Sequence, residues 1–132
     1  RQQRSKMTRK VISTPHAPSA IGPYSQAIKT HSLLFISGQL PIDPATGKML
    51  EGEIGDKTTQ ILKNCSAIAA EAGTDLNKVV KTTIFLTDLA DFQAVNTAYG
   101  AYFPEAPPAR STIQVAALPL GANIEIEFIL SV

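Results

Sequence analysis

The last stretch of the chain, Ile124-Glu-Ile-Glu-Phe-Ile-Leu130, alternates between apolar and charged side chains. A strand turns successive side chains to opposite faces, so Ile124, Ile126, Phe128 and Leu130 point one way and Glu125, Glu127 and Ile129 the other. Two carboxylates on one face exclude a strand buried on both sides. The chain must therefore build a sheet with one face in a core, and it must supply elements that cover that face.

Two helical segments meet that need. From Gly55 to Ala72, the residues Ile61, Leu62, Cys65, Ile68, Ala69 and Ala72 recur at helical spacing. Asp56 is the expected N-cap, and Gly73 suits the left-handed position after the C-terminus. Phe92, Val95, Tyr99, Tyr102 and Phe103 mark a second amphipathic helix, capped by Asp88 or Asp91 and stopped by Pro104. Strands are expected at Lys10–Ser13, Tyr24–Thr30, Leu33–Gly38, Val79–Thr87, Arg110–Ala116 and Ile124–Val132. Pro15, Pro18, Gly22 and Pro23 break the chain into an irregular loop, and Pro41 to Gly47 is dense in turn residues. The order is βββαβαββ, an α+β domain with one mixed sheet and two helices on one face. If the apolar side of each late strand faces the helices, then Arg110, Thr112, Gln114, Glu125 and Glu127 gather on the open face. Such a face suits either solvent or a subunit contact that encloses a site.

The 132 residues fit one domain, with 44% hydrophobic and 17% charged residues, an ordinary globular balance. Arg1 to Lys6 precede Met7, which reads as a native start, so residues 1–6 are taken as a remnant and 7–132 as the domain. Those six hold three of the 12 basic residues. From Met7 onward, 9 basic face 11 acidic residues, and the formal charge of +1 becomes −2. That balance argues against nucleic acid as the main partner. No apolar run approaches membrane-span length, and the polar start carries no apolar export segment. Cys65, the one cysteine, allows neither an internal disulfide nor a multi-thiolate metal site. A cytoplasmic protein is expected. The glycosylation pattern Asn64-Cys65-Ser66 falls inside the first helix and is set aside.

Walker, dinucleotide-binding and nucleophile-elbow motifs are absent from the sequence. His16 and His31 have no metal-ligand spacing and read as surface residues; Glu51 and Glu53 read as solvated, and Cys65 as core. Arg110 is the strongest candidate. The stiff Pro107-Pro108-Ala109 segment delivers a planar cation that can grip a carboxylate through two parallel hydrogen bonds, although spacing alone favours a surface or salt-bridging arginine. Glu125 and Glu127 share a face, and pattern does not choose between them. Tyr24, after Gly22-Pro23, fits a pocket wall or a core position. Ser37-Gly38 ends a buried strand where glycine permits close approach. Asn96 lies on the second helix, where an exposed polar residue is the plainer reading.

Ala20-Ile-Gly-Pro-Tyr-Ser-Gln26, Phe35-Ile-Ser-Gly-Gln-Leu-Pro41, Val80-Lys-Thr-Thr-Ile-Phe85, Pro108-Ala-Arg-Ser111 and Ile124-Glu-Ile-Glu127 stand in order along the chain. Together they resemble the RidA (YjgF/YER057c/UK114) family from about Lys10 to Leu130. The resemblance implies a chorismate-mutase-like homotrimer with sites at its subunit interfaces. It implies hydrolysis of 2-iminopropanoate and 2-iminobutanoate, reactive products of pyridoxal-dependent dehydratases, without metal or organic cofactor. On this resemblance the carboxylate-binding arginine is Arg110 and the water-positioning acid is Glu125 rather than Glu127. Tyr24, Ser37 and Asn96 fall on pocket or supporting positions. Thr112 stands where many bacterial members have cysteine, which keeps a small polar group and removes any role for a thiol. Three other readings stand beside deamination: a 2-oxo acid binding module, an endoribonuclease, and a chaperone-like protein.

Overall fold

A computed structural model of the chain describes residues 8–132. The reading of residues 1–6 as a remnant falls outside the described residues. The sheet holds β1 (Lys10–Ile12), β2 (Ala27–Lys29), β3 (Leu33–Gln39), β6 (Val79–Leu86), β7 (Ala109–Gln114) and β8 (Ile124–Ser131). Their spatial order is β1-β2-β3-β8-β6-β7. Every neighbouring pair is antiparallel except β6 and β7, which are parallel and joined across α2 (Phe92–Gly100). A parallel pair needs such a crossover, and a helix supplies it. The expected α+β class and mixed sheet are present.

The last strand behaves as its alternation requires. Ile124, Ile126, Phe128 and Leu130 are buried, while Glu125 and Ile129 are half-buried and Glu127 is exposed. The long helix α1 (Ile54–Glu71) turns Ile61, Leu62, Cys65, Ile68 and Ala69 onto this apolar face, across β3 and β8. α2 packs beside α1 and contributes Val95 and Tyr99 to the same core.

The helix ends differ in part from expectation. The N-cap of α1 is Glu53, with no side-chain capping bond, and Asp56 lies in the first turn. There its charge meets the positive end of the helix dipole without capping the chain. At the other end Gly73 adopts φ +83°, its N–H donates to Ala70 O at 3.0 Å, and the Thr74 N–H donates to Ala69 O at 2.9 Å. This is the left-handed helix stop anticipated for Gly73. Asp88 caps the short 3-10 turn Leu89–Asp91 that leads into α2, and Asp91 gives α2 no side-chain cap.

The turn-rich segment after β3 forms a small ribbon, β4 (Ile42–Asp43) with β5 (Lys48–Met49), that pattern alone did not suggest. Asn64 ties it to α1: its Nδ2 donates to Ile42 O at 2.9 Å, and the side chain is buried. Its place in the core also disposes of the glycosylation pattern. Cys65 is fully buried beside it, and burial pushes its thiol well above the ordinary range.

The open face is the unusual surface. Ile28, Phe35 and Ile129 form one row by register, and Glu125, Phe85 and Ile113 form another. Phe35 is 43% exposed and Ile113 44% exposed. A row of large apolar side chains without helices above it marks a surface built to be covered.

Candidate active site

The register places the two leading candidates on opposite faces of the sheet. Thr82 of β6 pairs with Arg110 on one side and with Phe128 on the other. Directly opposed residues share a face. Phe128 lies in the helix-covered core, so Arg110 lies on the helix side, with Thr112 and Gln114. Glu125 pairs with Phe85 on the open face. The expectation that Arg110, Thr112 and Gln114 join Glu125 and Glu127 on the open face is therefore incorrect. It rested on the apolar side of β7 facing the helices. Instead Ser111 and Ile113 face outward, because the open face is itself partly apolar and α2 presents polar and aromatic groups to Arg110.

Three residues of α2 cradle the guanidinium. Arg110 Nη1 donates to Asn96 Oδ1 at 2.8 Å. The Arg110 Cζ lies 5.4 Å from the Phe92 ring centroid and 5.1 Å from that of Tyr99. Phe92, Asn96 and Tyr99 follow one another at i, i+4 and i+7, one stripe of the helix. Aromatic faces attract a cation, and one accepted hydrogen bond fixes its rotation while other donors stay free. A cavity of about 380 Å³ opens beside it, lined by Asn96, Tyr99, Phe103, Pro108 and Arg110 among others. Phe92 and Tyr99 read in the sequence only as part of an apolar stripe, because helical spacing is the same for an aromatic that stacks on a cation and for one in a core.

The carboxylate half is built on the bulged end of β3. The β3–β8 register shifts between Ile36 and Gln39. Bulges re-aim side chains and often lie beside sites. Gly38 sits in this irregularity, and a Cβ there would overlap the Glu125 carboxylate and lie 2.8 Å from its Cδ. Glycine is thus required for the carboxylate's place rather than for the backbone angle. Glu125 shares a cavity of about 420 Å³ with Ile21, Tyr24, Ser37, Leu40 and Glu127. Burial and the neighbouring Glu127 charge raise its pKa above the ordinary 4.5.

The loop before β2 forms the wall of this half. Ser37 Oγ donates to Ser25 O at 2.6 Å, and the Tyr24 hydroxyl accepts from the Ile21 N–H at 3.2 Å. Buried Gln26 holds the loop from beneath. Its Oε1 accepts from the Thr14 N–H at 2.7 Å, and its Nε2 donates to Pro18 O at 2.8 Å. Gln26 ends the Ala20–Gln26 motif, and its residue type gives no sign in the sequence of this buried bracing role. Thr112 lies on the arginine side, and its Oγ1 is buried with no hydrogen-bond partner among the described residues. His16 and His31 are exposed, and among the described residues no group of three or more His, Cys, Asp or Glu is placed to hold a metal.

The family model described as Endoribonuclease L-PSP matches residues 14–132. A reactive intermediate deaminase A of Arabidopsis thaliana, named chloroplastic, is 55% identical over 95% of this chain and 67% of its own. The chain belongs to the RidA (L-PSP) family. A protein of Homo sapiens named 2-iminobutanoate/2-iminopropanoate deaminase is 49% identical over 93% of this chain and 90% of its own. The crystal structure of RidA from the Antarctic bacterium Psychrobacter sp. PAMC 21119 superposes with TM-score 0.91 at 46% identity, covering 94% of this chain and all of that one. The RidA fold thus extends along nearly the whole described chain. Among the described residues no helix is long and apolar enough to cross a membrane.

Proposed function

We propose that this RidA protein hydrolyses 2-imino acids and their enamine tautomers to 2-oxo acids and ammonia. The reading takes 2-iminopropanoate and 2-iminobutanoate as substrates and removes them before they damage pyridoxal-phosphate enzymes. The observation that carries it is the held guanidinium of Arg110. Asn96, Phe92 and Tyr99 fix it at the wall of an open cavity, where it can bind a planar carboxylate in two parallel contacts. Relatives named as imine deaminases match this chain at about half identity.

Arg110 clamps the substrate carboxylate and places the C=N carbon, which lowers the entropic part of the barrier. Glu125 orients a water and takes its proton as oxygen bonds to that carbon. The resulting carbinolamine collapses: the Glu125 carboxyl returns its proton to nitrogen, the C–N bond breaks, ammonia leaves, and the hydroxyl gives up its proton to the carboxylate as the C=O of the 2-oxo acid forms. The iminium is already electrophilic, so general-base help of roughly 10²–10⁴-fold suffices. Tyr24 and Ser37 wall the site, Thr112 supports it from the strand, and no cofactor is needed for these steps.

Within one chain Arg110 and Glu125 face opposite ways, so the site is assembled between subunits. The homotrimer covers the exposed Phe35 and Ile113 and brings the arginine half of one subunit to the carboxylate half of its neighbour. Small molecules are the main partners, rather than nucleic acid or membrane: residues 7–132 carry more acidic than basic residues, and both histidines stand apart from Arg110 and Glu125. The single buried thiol fits work in the cytoplasm.

The test couples a threonine dehydratase to this protein with semicarbazide as the trap for surviving imine. Added protein should divert imine from the trap and speed 2-oxobutanoate and ammonia release. Unchanged trapping at micromolar protein would contradict the reading, and 2-oxobutanoate binding without turnover would identify a binding module instead.

A further inference from the structure

The hydroxyl of Tyr99 makes a contact that the deaminase reading does not use. It lies 2.8 Å from Thr82 Oγ1, and both side chains are buried. Thr82 is the register partner of Arg110 across the parallel β6–β7 pair. One edge of the Tyr99 ring is therefore tied to the strand beside Arg110, while its face lies under the guanidinium. Phe103 meets the ring at 4.8 Å between centroids with a 46° tilt. That packing supports the ring from one side, and the hydroxyl bond ties its far end to β6.

We propose that Tyr99, locked by Thr82, is a positioning residue that sets the height of the Arg110 guanidinium at the site. The proposal rests on the deaminase reading for its consequence and on the tyrosine–threonine–arginine stack for its geometry. A phenol anchored to a strand can hold a cation where an untethered ring cannot. Asn96 fixes rotation about the guanidinium axis, and Tyr99 fixes its distance from the sheet. Together they preorganise the carboxylate clamp, so little freedom is lost when substrate arrives.

Tyr99→Phe keeps the ring and removes the tether. It also leaves the buried Thr82 hydroxyl unpaired, which destabilises the fold by itself. The double variant Tyr99→Phe/Thr82→Val removes both polar partners and separates the two effects. Three readouts apply: melting temperature, the KM-against-kcat split with 2-oxobutanoate affinity, and exchange of the Arg110 Nε–H proton by NMR. The last needs no substrate.

Tyr99→Phe should melt roughly 3–8 °C lower, raise KM and weaken 2-oxobutanoate about tenfold, and also lower kcat severalfold as the clamp places the reacting carbon less well. Its Arg110 Nε–H should exchange faster. The double variant should regain most of the melting temperature and none of the affinity or protection. A merely structural tyrosine would recover all three together in the double variant, and that result overturns the proposal. Wild-type affinity and protection in Tyr99→Phe would do the same. If the parent protein neither hydrolyses imines nor binds 2-oxobutanoate, the deaminase reading fails, while the proton-exchange comparison still decides the tether.

Discussion

Arg110 and Glu125 project from opposite faces of one sheet, the arginine beneath α2 and the carboxylate over the bulge at Gly38. Each has a cavity of its own, and no residue lines both. A single subunit thus presents two separate cavities. One holds fixed hydrogen-bond donors and the other a half-buried acid, the two functions that the proposed mechanism divides.

Binding and turnover should separate along that division. Arg110→Ala should abolish 2-oxobutanoate binding in calorimetric titration and nearly all kcat/KM, since losing a desolvated charge contact costs about 2–5 kcal/mol. Arg110→Lys keeps the charge without the fork and should recover little. Glu125→Gln should bind 2-oxobutanoate normally and turn over on the order of 10²-fold slower in the coupled dehydratase assay. Normal turnover in Glu125→Gln beside a dead Glu127→Gln would reassign the acid.

Gly38→Ala tests the bulge. The added Cβ overlaps the place of the Glu125 carboxylate, so the acid must move by about an ångström or more. A displacement of that size costs roughly 10²-fold in rate. Circular dichroism should show the fold intact, and 2-oxobutanoate affinity should fall by less than kcat does. An alanine variant with full kcat would show that the carboxylate's position is not critical.

Thr112 should prove dispensable as a hydroxyl. Its Oγ1 has no partner among the described residues, so Thr112→Val should be neutral or stabilising, because a buried unpaired polar group is lost and the shape is kept. Thr112→Cys should leave imine hydrolysis within several-fold of the parent. A thiol reagent should spare the parent enzyme while Cys65 stays buried. A drop of 10²-fold in either variant would give Thr112 a direct role in the reaction.

The fold was legible where one periodicity dominated. β8 announced its buried face through Ile124, Ile126, Phe128 and Leu130, and α1 through Ile61, Leu62, Cys65 and Ile68. β7 misled because Ile113 is apolar and faces outward: on a sheet whose second face is also partly apolar, hydrophobicity no longer identifies the core side. The β4–β5 ribbon escaped because two-residue strands carry no period. Arg110, Asn96, Glu125, Tyr24 and Ser37 stood out as candidates by residue type and neighbours, and the family resemblance suggested their roles. Arg110 and Asn96 line one cavity of the structure, and Tyr24, Ser37 and Glu125 line another. Phe92 and Tyr99 stayed hidden because an aromatic that stacks on a cation has the same sequence spacing as one in a core.

The acid limb of the pH profile should follow Glu125. Catalysis by this account needs its ionised form, and activity is lost as pH falls through its pKa. Burial, and then the charge of Glu127, raise that pKa, so the loss occurs at higher pH than for a free carboxylate. Glu127→Gln removes a like charge and should move the acid limb of kcat/KM to lower pH, with neutral-pH activity nearly unchanged. A shift toward higher pH would mean that Glu127 supports the charged form.

The assembly of half-sites between subunits is tested most directly by mixing two dead proteins. Arg110→Ala subunits keep a sound carboxylate half, and Glu125→Gln subunits keep a sound arginine half. The two variants, tagged differently, are unfolded together, refolded at equal ratio and checked for mixed trimers by native mass spectrometry. Any mixed cyclic trimer contains one interface where both sound halves meet. With random assembly, roughly a quarter of wild-type activity should return. Mixed trimers that are no more active than the separate variants would contradict a site shared between neighbouring subunits.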